Sequence, residues 1–146
     1  FLMVFGAFGR IFGGILGDRI GALPGYILMS LGQTIFVIWF PDLISPTTIY
    51  IMAALFGFTY SGVMSSILVC TRMMVPANYG ARAMSLTSFF GWIGMGLGGF
   101  LGGYFFDIYG NYNWAFTFAG LSGVINLIIL SFFFLYIRRA ERLVLN

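Results

Sequence analysis

The sequence predicts an all-α membrane protein that contributes five transmembrane helices, and three observations predict it. Hydrophobic residues fill 60% of the 146 positions and charged residues only 8%, against about 25% charged in ordinary soluble domains. The apolar residues gather into five runs that lack the period-two alternation of a membrane barrel. Every arginine except Arg10 falls in an alternate connector or at the C-terminal end.

The runs cover residues 1–17, 23–40, 47–69, 83–106 and 114–137. Crossing a bilayer takes about 20 apolar residues at about 1.5 Å each, so the last three are long enough and the second is at the short end. The first opens within an apolar run, with neither an initiator Met nor a basic flank, and reads as the cut end of a helix that begins upstream. Between the runs lie Asp18-Arg19-Ile20-Gly21, then residues 41–46, Pro76-Ala77-Asn78-Tyr79-Gly80, and Asp107-Ile108-Tyr109-Gly110-Asn111. Gly and Pro break helices there, and Asp and Asn cap them. Residues 138–146 read as a basic tail. An odd number of crossings separates each Arg-bearing connector from the Asp42 and Asp107 connectors. By the positive-inside rule the side with Arg19, Arg72, Arg82, Arg138, Arg139 and Arg142 is cytoplasmic, and the C-terminus with it. Tyr109, Tyr112 and Trp114 fit an interfacial aromatic belt at the other side.

Composition also excludes. There is no His and no Lys, and Cys70 stands alone, so a zinc cluster, a His-dependent triad and an internal disulfide lack their raw materials. The reading is therefore of a protein that is not an enzyme and takes no cofactor or metal. Seven arginines scattered among apolar runs form no basic stripe, which argues against nucleic acid as a partner. Gly94-Met95-Gly96-Leu97-Gly98-Gly99 satisfies the dinucleotide pattern G-x-G-x-x-G, but that motif works only between a strand and a helix N-terminus, and here it lies inside a helix.

Glycine is patterned. Gly9, Gly13 and Gly17 recur every four residues on the first helix, and Gly94, Gly98 and Gly102 on the fourth; Gly57, Ser61 and Ser65 form a small-residue row on the third. Positions i and i+4 share a helical face, so each row is expected to be a groove for a neighbouring helix.

Gly14-Ile15-Leu16-Gly17-Asp18-Arg19-Ile20-Gly21 resembles the signature loop of the major facilitator superfamily, G-x-L-A-D-R-x-G-R-[RK], with Ala22 and Leu23 in place of the final basic pair. In that family the loop joins helices two and three and recurs between helices eight and nine. Four further crossings and a basic end follow it here, which matches the second copy. The resemblance implies a twelve-helix carrier working by alternating access, this chain being helices eight to twelve, with Gly14, Asp18, Arg19 and Gly21 in the gating loop. Gly9-Arg10, together with Gly102-Gly103-Tyr104-Phe105-Phe106-Asp107-Ile108-Tyr109-Gly110 and Ala115-Phe116, resembles the monocarboxylate and oxalate/formate porters. Those carriers hold an intramembrane Arg on helix eight at this spacing. Some use a Lys on helix eleven, where this sequence has Gly91, a departure that argues against dicarboxylate exchange.

Arg10 lies eight residues before Asp18, or about 12 Å up the helix, near the middle of a hydrocarbon core about 30 Å thick. A charge there costs about 2.5 kcal/mol on insertion scales and persists where it faces partners or water. Its planar fork suits a carboxylate, so Arg10 is the expected substrate-binding residue, with Tyr60 and Trp92 as further cavity-lining candidates. Gln33, Ser61, Ser88 and Asn126 are the other intramembrane polar residues, read first as interhelical hydrogen-bonding groups. The reading is a secondary transporter of a small organic anion, a monocarboxylate for preference. Its partners are the remaining N-terminal half of the chain, the bilayer, the anion and a co-transported proton. A carrier of a neutral solute with Arg10 structural, and a small membrane protein that transports nothing, are the alternatives.

The charge pattern makes a direct prediction. Single cysteines at positions 82 and 107, in a Cys70→Ser background, should react with an impermeant thiol reagent from opposite sides of the membrane. Reaction of both from one side would contradict the alternation.

Overall fold

The structure, a computed structural model, describes residues 2–40 and 45–144; Asp42 lies outside the described residues. Five helices follow one another: α1 (Leu2–Ile20), α2 (Ala22–Trp39), α3 (Pro46–Met74), α4 (Gly80–Tyr109) and α5 (Asn113–Val144), with a single 3-10 turn at Ala77–Tyr79 before α4. Among the described residues four helices, α2 to α5, are long and apolar enough to cross a membrane. α1 carries Arg10, Asp18 and Arg19 within its 19 residues. The helices overrun the apolar runs: α3 continues to Met74, α4 starts at Gly80, and α5 includes Arg138, Arg139 and Glu141, where the sequence suggests a tail. Helical hydrogen bonds satisfy the backbone in water as well as in lipid, so hydropathy marks only the part of a helix that lipid can cover.

The turns follow from local chemistry. α1 and α2 are separated by Gly21 alone, at φ 98°, a left-handed conformation that a side chain resists. Pro24 falls in the first turn of α2, where its missing N–H has no partner to lose, and Pro46 opens α3 in the same way. α4 ends on Gly110 at φ 66°, whose N–H donates to the Phe106 carbonyl. The Asn111 side chain then accepts from the Asn113 N–H at 3.2 Å and starts α5.

Cross-helix contacts fix the directions. Gly9 meets Phe58, and a Cβ added at Gly13 would lie 3.0 Å from the Gly62 Cα, so α1 and α3 run parallel. Gly62 also faces the Met29 sulfur and Gly32 faces Thr59, which sets α2 antiparallel to α3. Asn126 bonds Ser30 while Gly123 faces Thr34 and Gly120 faces Ile38, so α5 is antiparallel to α2. α4 returns along α3 and α5, touching them through Thr71 and Thr87, through Phe105 and Phe118, and through Tyr109 and Trp114. This up-and-down course gathers Arg19, Arg72, Arg82, Arg138 and Arg139 at one end of the bundle. Asp107, Tyr109, Tyr112 and Trp114 lie at the other.

The tightest packing is between α1 and α3. The Phe58 backbone occupies the space a Gly9 side chain would need, and Gly6 abuts the Ser61 hydroxyl. The face of α1 in use is Gly6, Gly9 and Gly13, while Gly17 turns toward Gly25 of α2. On α3 the matching residues are Gly57, Phe58, Ser61 and Gly62, and Ser65 bonds back to the Ser61 carbonyl of its own helix. The α4 row is arranged differently. A Cβ added at Gly94, Gly98 or Gly102 meets nothing within 4 Å among the described residues, because the described contacts of α4 lie toward its two ends and its middle stands off from the other helices. The buried hydrophobic side chains Leu23, Tyr26, Met29, Val63, Cys70 and Leu130 come from α2, α3 and α5.

Two alanine substitutions separate the glycines by environment. Gly9→Ala should lower stability by about 1–3 kcal/mol because its methyl group meets backbone that cannot yield. Gly14→Ala enters open space and should be neutral or stabilising by up to about 1 kcal/mol. Thermal unfolding of the purified full-length protein measures both, and equal stabilities would show that α1 and α3 are not in backbone contact.

Candidate functional site

Arg10 follows Gly9 on α1, so the close approach of Gly9 to Phe58 fixes where its Cα stands. Phe58 and Tyr60 lie about halfway along the 29 residues of α3, which places Arg10 at the middle depth of the bundle. Arg10 is exposed and makes no ion pair among the described residues. It lines a hollow of about 480 Å³ between α1 and α3 together with Tyr60 and Ser61. Backbone flanks them, because Gly6 and Gly57 supply no side chains at the same hollow. The result is one cation beside two hydroxyl groups in an otherwise small-residue and apolar surround.

Trp92 is not brought to this hollow. It stands 72% exposed on α4 and lines a separate hollow of about 340 Å³, shared with Tyr26, Gln33 and Asn126. The signature-loop residues are at the arginine-rich end. Asp18 and Arg19 are exposed in the last turn of α1, Gly14 faces open space, and Gly21 makes the turn. Gly94, Gly98 and Gly102 line a third hollow, about 520 Å³, between α2, α3, α4 and α5. Among the described residues no three His, Cys, Asp or Glu side chains gather to hold a metal ion.

A scan against family models matches residues 1–145 to the Major Facilitator Superfamily. The chain belongs to this superfamily. The chain is thus that of a multi-pass membrane transporter, with the all-helical fold just described. No curated protein and no solved structure gives a significant match.

In this transporter a second set of polar residues is held more firmly than Arg10. Asn126 on α5 donates from its side-chain nitrogen to the Ser30 hydroxyl on α2 at 2.9 Å, and it also interacts with the Tyr26 hydroxyl. Thr34, one turn beyond Ser30, donates to the Ser30 carbonyl at 2.8 Å. Sequence reasoning singled out Asn126 and Gln33 but missed Tyr26, Ser30 and Thr34. Their four-residue spacing places them on one face of α2, and that stripe was the available signal.

The Asn126–Ser30 bond should be measurable by a double-mutant cycle. Asn126→Ala and Ser30→Ala should each cost stability, with a coupling of about 0.6 kcal/mol and at most about 1.7 kcal/mol, the range found for hydrogen bonds between membrane helices. Strict additivity of the two losses would mean that α2 and α5 are not joined there.

Proposed function

We propose that this transporter moves a small organic anion, a monocarboxylate for preference, by alternating access, and that Arg10 holds the carboxylate. The observation that carries the reading is the hollow shared by Arg10, Tyr60 and Ser61 at middle depth. A guanidinium offers two parallel N–H donors to a carboxylate, and the hydroxyls of Tyr60 and Ser61 can donate to an oxygen that the fork leaves free. Among the described residues Arg10 is the single cation lining this hollow, and Gly91 stands where some members of the resembling group have a Lys, so one negative charge is the matched load. Binding at mid-depth on α1 suits a carrier whose two halves rock about a central site.

The same proposal makes the five helices the eighth to twelfth of twelve, with the arginine-rich end and the C-terminus in the cytoplasm of a cell whose plasma membrane holds the carrier. Asp18 and Arg19, exposed beside the one-residue turn, then meet the other half of the carrier as it opens and closes. A coupling proton, where one is used, travels on the substrate or on a residue of the other half, since Asp18, Asp107 and Glu141 all lie near helix ends.

Three forms of the full-length carrier test the site. Arg10→Lys keeps the charge but loses the planar fork, and transport should weaken with expression unchanged. Arg10→Gln should reduce affinity for the anion by about 10-fold to 150-fold, the equivalent of roughly 1.5 to 3 kcal/mol for a charge-assisted bond. Uptake of labelled monocarboxylates is measured alongside surface expression and thermal stability. Arg10→Gln protein that folds and transports its solute at the wild-type rate and apparent affinity would replace this reading with a neutral-solute carrier.

A further inference from the structure

The hollow lined by Trp92 and the hollow lined by the α4 glycine row share three residues, Gln33, Val63 and Asn126. They therefore meet at a pair of side-chain amides. The two amides differ in what is left for a ligand. Asn126 is engaged by Ser30 and by Tyr26, so it is a fixed wall. Gln33 is partly buried and makes no hydrogen bond among the described residues, which leaves both its donor and its acceptor free. A polar group at this depth without water or a partner is costly.

We propose that these joined hollows form a second binding site, separate from the Arg10 hollow, for an uncharged molecule with an apolar ring and a hydrogen-bonding carboxamide-like group that pairs with Gln33. The walls supply the chemistry of that class. Among the described residues no Arg, Asp or Glu lines either hollow, and the remaining surface is largely apolar, from Val37, Phe56, Val63, Leu97 and Phe118. An ion entering such a space has no counter-charge and is rejected by its desolvation cost, whereas a neutral amide exchanges both of its hydrogen bonds with Gln33. Volumes of about 520 and 340 Å³ fall in the range of small-molecule sites, which are mostly apolar with a few placed polar groups. Neither hollow shares a lining residue with the Arg10 hollow, and α2, α4 and α5 supply most of the wall.

Trp92 is a built-in reporter. In the full-length carrier in lipid nanodiscs, 4-bromobenzamide should quench saturably the part of the tryptophan emission that Trp92→Phe removes. The charged counterpart, 4-bromobenzoate, should not quench that component. Gln33→Leu should raise the half-saturating concentration about tenfold, and Gly91→Phe, which fills the hollow from α4 where an added side chain meets nothing within 4 Å, should abolish saturation. Arg10→Gln should leave the quenching unchanged, so the result is independent of the anion reading. Quenching that rises linearly without saturating, or that is shared equally by the benzoate, overturns the proposal. So does quenching that Gly91→Phe leaves intact, or the absence of any quenching up to the solubility limit.

Discussion

Backbone contact between α1 and α3 is the constraint on which the rest of this structure depends. Lipid tails are as apolar as leucine, so helices in a bilayer gain little by hiding hydrophobic side chains from it; they associate where backbones approach closely enough for dispersion and short polar contacts to accumulate. Gly9 against Phe58 and Gly13 against Gly62 provide that approach. Gly62 continues it to Met29 of α2, and Ser30 of α2 continues it to Asn126 of α5. Three helices are thus indexed to α1 through a chain of contacts, each of which needs a small or polar residue at its place.

The functional consequence is the position of Arg10. A side chain one residue after Gly9 projects about 100° around the helix from the contact, out of the seam and toward the rim where Tyr60 and Ser61 lie. Glycine at position 9 thereby holds Arg10 at the middle depth of the bundle, and it does so without covering it. Large residues along the seam would move Arg10 and the two hydroxyls apart together.

α4 is held in another way. Its described contacts lie toward its ends, through Thr87 to Thr71 and through Phe105 and Tyr109 to α5, and none of its residues is buried. The seven glycines from Gly91 to Gly103 leave its middle smooth and uncommitted among the described residues. The bundle therefore combines a closely seamed group, α1, α2, α3 and α5, with one helix that borders open hollows. Polar residues of the seamed group, Gln33 above all, face those hollows.

Much of the fold was legible in the sequence because hydropathy and turn chemistry are local properties. The apolar runs located the helices, Gly21 and Gly110 marked the turns that need positive φ, and the arginines announced that alternate ends would share a side. Helix ends were not legible at Arg138 and Arg139, since a helix continues past the lipid boundary at no backbone cost. The glycine rows showed that close packing was intended but not who would meet whom. Identical spacing produced a filled seam at Gly9 and Gly13 and an open wall at Gly94, Gly98 and Gly102, because the outcome depends on which helix the fold lays alongside. Of the candidate site, the sequence by itself determined how far Arg10 stands from the Asp18 end of α1, since that distance is a count of residues along one helix. Only the tertiary structure decided that Tyr60 and Ser61 join it while Trp92 joins Gln33 and Asn126, because neighbours across helices are set by the rotation and pairing of whole helices, which no single helix encodes.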